Sequence, residues 1–136
     1  MKNAPWYAHY PKEVPQQIDS AEYESLAELL NDVFEKFGNY SAFENMGKIM
    51  TFNELKIASD SFAAYLIHDL GLNRGDKVAI QMPNLLQYPV VLFGALRAGM
   101  TVVNVNPLYT SSELKHQLND SDAKVIIVLA NFASIL

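Results

Sequence analysis

The sequence predicts an α/β protein in which an N-terminal arm, a helix and a short hairpin lead into a doubly wound, mainly parallel sheet. Three observations carry this prediction. Runs at residues 78–80, 102–105 and 125–129 are rich in β-branched side chains and lack polar alternation, as strands buried on both faces must. Their starting positions leave room for one crossover helix between consecutive parallel strands. The intervening stretches carry the apolar spacing and caps of helices.

From the N-terminus, residues 1–24 form a first unit with Pro5, Pro11 and Pro15 interleaved among Trp6, Tyr7, Tyr10 and Tyr23. They show no helical or strand period, which predicts an extended arm that packs by its aromatics. Residues 25–136 form the second unit. Leu26, Leu29, Leu30, Val33, Phe34 and Phe37 make one helical stripe, with a capping box from Ser25 and Glu28 and a stop at Gly38. Residues 41–44 and 48–52 flank Asn45, Met46 and Gly47 as the arms of a hairpin. A second capping box, Thr51 with Glu54, opens a helix whose Leu55, Ala58, Phe62 and Leu66 repeat until Gly71, with Lys56, Asp60 and His68 toward water.

The crossover helices fall at residues 85–98, closed by Gly99, and 111–119, opened by a third capping box from Thr110 and Glu113. The first is apolar on nearly every side, which predicts that it is covered on both faces, and Pro89 should bend or delay its first turn. Residues 131–136 read as a helix cut in its first turns, so the chain is expected to be an incomplete part of a larger domain.

Composition excludes several functions. Fifteen acidic against ten basic side chains give a formal charge of −5, the wrong sign for gripping nucleic acid. The absence of cysteine removes disulfides, thiolate metal sites and thiol redox chemistry. The N-terminus lacks a secretory h-region, and residues 85–100 are interrupted by Gln87, Pro89 and Arg97, short of the roughly 18 apolar residues of a membrane span. A cytoplasmic location is expected, with peripheral contact at the inner face of the membrane left open.

Local chemistry is sparse. His9, His68 and His116 have no second ligand at i+3 or i+4, so they predict ordinary histidines rather than a metal pair. Gly71 with Gly75 and Gly94 with Gly99 suit helix stops and close packing better than a phosphate loop, and no Walker pattern is present. Arg74, Gly75 and Asp76 read as a turn before a strand. Asn104, Asn106 and Tyr109 leave the carboxyl end of a central strand, where open α/β sheets place ligands. Asn106 before Pro107 is equally the chemistry of a strand-ending turn, and both readings stay open there.

Taken together, MTFNEL (residues 50–55), GDKVAIQMPN (75–84), LRAGMTVVNVNP (96–107) and KVIIVL resemble, in order and spacing, the opening of the AMP-forming acyl-CoA synthetases. The first and third are similar to the first two core motifs of adenylate-forming enzymes. MPNLLQYPVVLFGALRAGM, with NVNPLYT and ELKHQLNDS, is similar in particular to bacterial long-chain fatty acid:CoA ligases. The resemblance implies a parent enzyme that uses ATP with magnesium to adenylate a fatty acid and then passes the acyl group to coenzyme A. It implies that the phosphate loop, nucleotide contacts and catalytic lysine lie elsewhere: no catalytic, cofactor-binding or metal residue is assigned in this chain. The matched positions are scaffold ones, Thr51 and Glu54 at a helix start and Gly99 at a helix-to-strand corner. The arm resembles a segment through which some members pair as dimers, so a homo-oligomer is expected. A medium-chain or aryl acid:CoA ligase and a stand-alone α/β interaction module are the alternatives.

Overall fold

The structure, a computed structural model, describes residues 4–18 and 22–136. Residues 1–3 and 19–21 of the predicted arm lie outside the described part. Within the arm, Pro5–His9 forms a 3-10 helix with no buried residue, and Trp6, Tyr7 and Tyr10 meet edge to face. The arm is thus locally wound rather than extended, because Pro5 presets the first turn.

Helix α1 (Leu26–Phe37) buries Leu30 and Phe34. Its start is half a capping box: Ser25 accepts from the Glu28 N–H, whereas the Glu28 carboxylate reaches one residue further back and accepts from Glu24 N–H. Gly38 ends α1 in right-handed geometry, so its role is not the left-handed stop that the sequence suggests. A Cβ there would stand 2.5 Å from the Asn53 side chain, and the Gly38 carbonyl accepts from Asn53 N–H. Close approach between two chain segments explains this glycine.

Strands β1 (Ser41–Asn45) and β2 (Lys48–Thr51) pair antiparallel, with Asn45 opposite Lys48. The turn between them is two residues, Met46 and Gly47, both at positive φ as a primed hairpin turn requires. Helix α2 (Phe52–His68) begins with the complete Thr51/Glu54 capping box. Leu55, Ser59 and Leu66 point inward along it.

Strands β3 (Lys77–Gln81), β4 (Thr101–Asn104) and β5 (Val125–Val128) form a parallel sheet in the order β4-β3-β5. Helices α3 (Gln87–Arg97) and α4 (Ser111–Ser121) are the crossovers. Side chains of β3 alternate between them: Val78 and Ile80 join clusters with Ala95 and Val91 of α3, while Ala79 joins Leu114 of α4. The helices therefore cover opposite faces, and the double winding is present.

Helix α3 starts two residues later than its apolar pattern suggests. Pro89 is its third residue, where a helix has no intrahelical use for the missing N–H. Only Gln87 of this helix is exposed. The sheet covers one side; on the other, Val90 and Phe93 pack against Leu30, Phe34 and Leu55 of α1 and α2. At Gly94 the helices touch so closely that a Cβ would lie 2.9 Å from the Ser59 carbonyl oxygen. Arg97 ties the three helices together: it pairs with Asp60, donates to Asn31 at 2.9 Å and lies 5.3 Å over the Phe34 ring.

The α3-to-β4 corner follows from Gly99 at φ 77°. Its N–H donates to the Leu96 carbonyl and that of Met100 to Ala95, the paired bonds of a Schellman motif, while Met100 and Ala95 share one apolar cluster. Helix α4 closes with Asp122 at φ 54° in the same left-handed role. The final segment, Ala130–Ile135, is a 3-10 helix rather than the start of an α-helix.

Candidate functional site at the carboxyl end of the sheet

The loops that leave β3 and β4 converge at the carboxyl end of the sheet. Val105, just past β4, still donates its N–H to the Ile80 carbonyl, so the segment 103–110 stays fastened to the central strand before it turns. Asn106 makes that turn: its Oδ1 accepts from Leu108 N–H and its carbonyl accepts from Gln81 Nε2 at 3.4 Å. Tyr109 packs with Val105, Leu114 and Ala79 beneath α4. Asn104 is exposed, with its Oδ1 taken by Tyr88 Oη at 2.8 Å and its carbonyl by Gln117 Nε2 at 3.0 Å. Each of the three residues is thus engaged in the strand ending itself.

Charge in this region is spent on helix capping. Thr110 opens α4, and its hydroxyl and backbone N–H both donate to Glu113, which holds that carboxyl below its usual range. Glu54 is lowered in the same way, first by the Thr51 backbone N–H and then by its hydroxyl. Both carboxylates are committed to helix starts. Among the described residues, no three histidine or carboxylate side chains converge where a metal ion could sit.

Other residues singled out in the sequence are dispersed. The tripeptide at Arg74 to Asp76 is a turn, with Asp76 Oδ2 accepting from Asn73 N–H and Gly75 N–H donating to the Gly99 carbonyl. His9 lies in the 3-10 helix of the arm, His68 at the end of α2 and His116 on α4.

Two features were not read from the sequence. Gln81 is wholly buried at the end of β3, and its Oε1 has no partner. The loop after β3 opens onto an apolar groove of about 430 Å³ between the hairpin and the start of α3. Its walls are Phe43 from β1, Leu85 and Leu86 from the loop, and Pro89, Leu92 and Phe93 from α3. A hydrogen bond of 3.0 Å from Asn45 Nδ2 to the Asn84 carbonyl pins the hairpin tip to the loop and sets the groove's width.

A three-stranded parallel sheet wrapped on both faces defines the class, an α/β fold of the doubly wound kind. The sequence pattern of the AMP-binding enzyme family matches residues 30–135, and the chain belongs to that family. It is 56% identical over 131 residues to a long-chain-fatty-acid–CoA ligase of Salmonella typhimurium, covering 96% of this chain and 23% of that protein. It is 38% identical over 125 residues to a long-chain-fatty-acid–CoA ligase of Bacillus subtilis, covering 92% of this chain and 22% of the other. The chain thus spans about a quarter of the length of these relatives. A benzoate CoA ligase from Burkholderia xenovorans superposes with a TM-score of 0.78 at 24% identity, over 84% of this chain and 23% of its own, a likeness of fold.

Proposed function

We propose that the chain is the N-terminal scaffold portion of a long-chain fatty acid:CoA ligase, which converts ATP, a fatty acid and coenzyme A to acyl-CoA, AMP and pyrophosphate. In this reading the groups that handle ATP and magnesium lie outside residues 1–136. The 136-residue chain alone is inactive. What carries the proposal is the 56% identity to the Salmonella ligase across almost the whole chain, far more specific than any short motif. The scaffold role is supported by the geometry: the two core-motif stretches supply a helix cap at Thr51 and Glu54 and a Schellman corner at Gly99.

The long-chain reading is preferred to a medium-chain or aryl one because long-chain-fatty-acid–CoA ligases match at 56% and 38% identity over 96% and 92% of the chain, against 34% over 62% of it for a 4-coumarate–CoA ligase-like protein. The parent works in the cytoplasm as a homo-oligomer with peripheral contact at the membrane; among the described residues no helix is long and apolar enough to cross a bilayer. Assaying the ligase-length protein across acids of increasing chain length tests the assignment. Highest kcat/KM for long-chain fatty acids is expected, and a preference for benzoate or short acids would overturn it. A reading frame that stops directly after Leu136 would favour the stand-alone interaction module instead.

A further inference from the structure

We propose that the groove between the hairpin and α3 binds the alkyl chain of a free fatty carboxylate, with the carboxylate held at Lys48. The groove falls within the roughly 300–1,000 Å³ of small-molecule sites and is lined mainly by large apolar side chains with few polar ones, the pattern such sites share. It continues over Leu85 and Leu86 into a second, shallower groove that is lined by Asn45, Met46, Lys48 and Gln87. One charged side chain on the groove's face of the hairpin borders this path: Lys48, opposite Asn45, on the shallow part. Lys48 attracts a carboxylate, which orients an anionic amphiphile with its head toward the hairpin turn and its tail in the apolar groove.

Lys48 makes no ion pair among the described residues, so its ammonium is available. The walls come from well-anchored elements. Phe43 is on a paired strand, Leu92 and Phe93 are on the helix fastened to α2 at Gly94, and the Asn45–Asn84 hydrogen bond holds the loop between them. A groove set this way loses little conformational freedom when a chain enters it. The choice of a fatty carboxylate among anionic amphiphiles rests on the ligase reading. The test reads binding rather than turnover, so the two fail separately.

The test is titration of the isotope-labelled chain with dodecanoate, dodecanol and dodecyltrimethylammonium below their micellar concentrations, followed by amide shifts. Saturable shifts at Phe43, Leu85 and Leu92 are expected, with dodecanoate tightest and the cationic amphiphile weakest. Lys48→Glu should weaken dodecanoate about fivefold and leave dodecanol nearly unchanged, the scale of one exposed charge interaction. Leu86→Gln should weaken both, and unchanged circular dichroism and thermal midpoint show that each variant still folds. Shifts located elsewhere, or dodecanoate affinity indifferent to both variants, would overturn the proposal. So would binding of phosphatidylglycerol vesicles without binding of dodecanoate, or a concentration-dependent dimer that Leu86→Gln makes monomeric, because a lipid surface or a second copy would then be the occupant.

Discussion

The two faces of the sheet are finished to very different degrees. On the α3 face, Val78, Ile80, Val91, Ala95 and Met100 are buried, and α3 is covered in turn by α1 and α2. On the α4 face, Ala79, Val105 and Leu114 are the buried apolar residues among those described, and α4 itself buries Leu114 alone. An open groove of about 290 Å³ runs beside Leu114, Leu118 and Ile135. The difference teaches where stability is concentrated: in a layer of tightly meshed helices on one side, with a lightly attached helix on the other.

Truncating the same side chain on both faces tests this most strongly. Leu66, with no exposed surface, packs against Val78, Ala95 and Met100, so Leu66→Ala should cost about 4 kcal/mol, toward the upper part of the range for buried leucines. Leu114→Ala should cost about 2 kcal/mol, because the adjoining groove lets α4 settle or water enter. Urea unfolding measures both, and equal losses would break the comparison. Gly94→Val should destabilise by about 3 kcal/mol through the contact with the Ser59 carbonyl, a mark of how close the helices are on the dense face. An unchanged urea midpoint would show that α2 and α3 can separate freely.

Gly99→Val at the corner between α3 and β4 should cost roughly 1–3 kcal/mol, since a β-branched residue resists positive φ. Its counterpart on the thin side points the other way. Asp122→Gly should raise stability by a few tenths of a kcal/mol, as glycine adopts the left-handed conformation more readily. A lowered thermal midpoint for Asp122→Gly would mean that the Asp122 side chain contributes beyond its pairing with Lys124.

The smallest effect concerns pH. Glu54 and Glu113 are held below their usual carboxylate range by bonds to Thr51 and Thr110. A depressed folded value means that the unfolded chain takes up protons first. The stabilisation is therefore present above the unfolded value near 4.3 and lost as pH falls through the folded one. Glu54→Gln and Glu113→Gln should flatten the decline of the urea midpoint below about pH 4.5; parallel declines for variants and wild type would remove the caps from that account.

Much of this architecture was legible because its signals are local. The Thr51/Glu54 and Thr110/Glu113 boxes need only four consecutive residues, and the three strands announce themselves as β-branched runs. Gly38 was misread because its reason lies fifteen residues away, at Asn53. The groove was invisible for the same cause: Phe43, Leu85 and Leu92 come from a strand, a loop and a helix, and no spacing rule joins them. Gln81 sits in an apolar run, and only the packing of the 103–110 segment over it reveals a buried amide. Asn104, Asn106 and Tyr109 were visible as candidates, and the structure resolves their ambiguity toward the turn.

The central claim, that this chain is ligase scaffold whose reaction groups lie elsewhere, is tested most directly by pyrophosphate release. The purified 136-residue chain and the ligase-length protein would each be incubated with ATP, magnesium and a long-chain fatty acid. Adenylation needs amide donors and a cation preorganised around the transferring phosphorus, and among the described residues no three histidine or carboxylate side chains converge to hold such a cation. The account predicts release by the ligase-length protein and none by the 136-residue chain above a heat-treated control. Release by the short chain would contradict the placing of the catalytic groups outside it, and release by neither would contradict the ligase assignment itself.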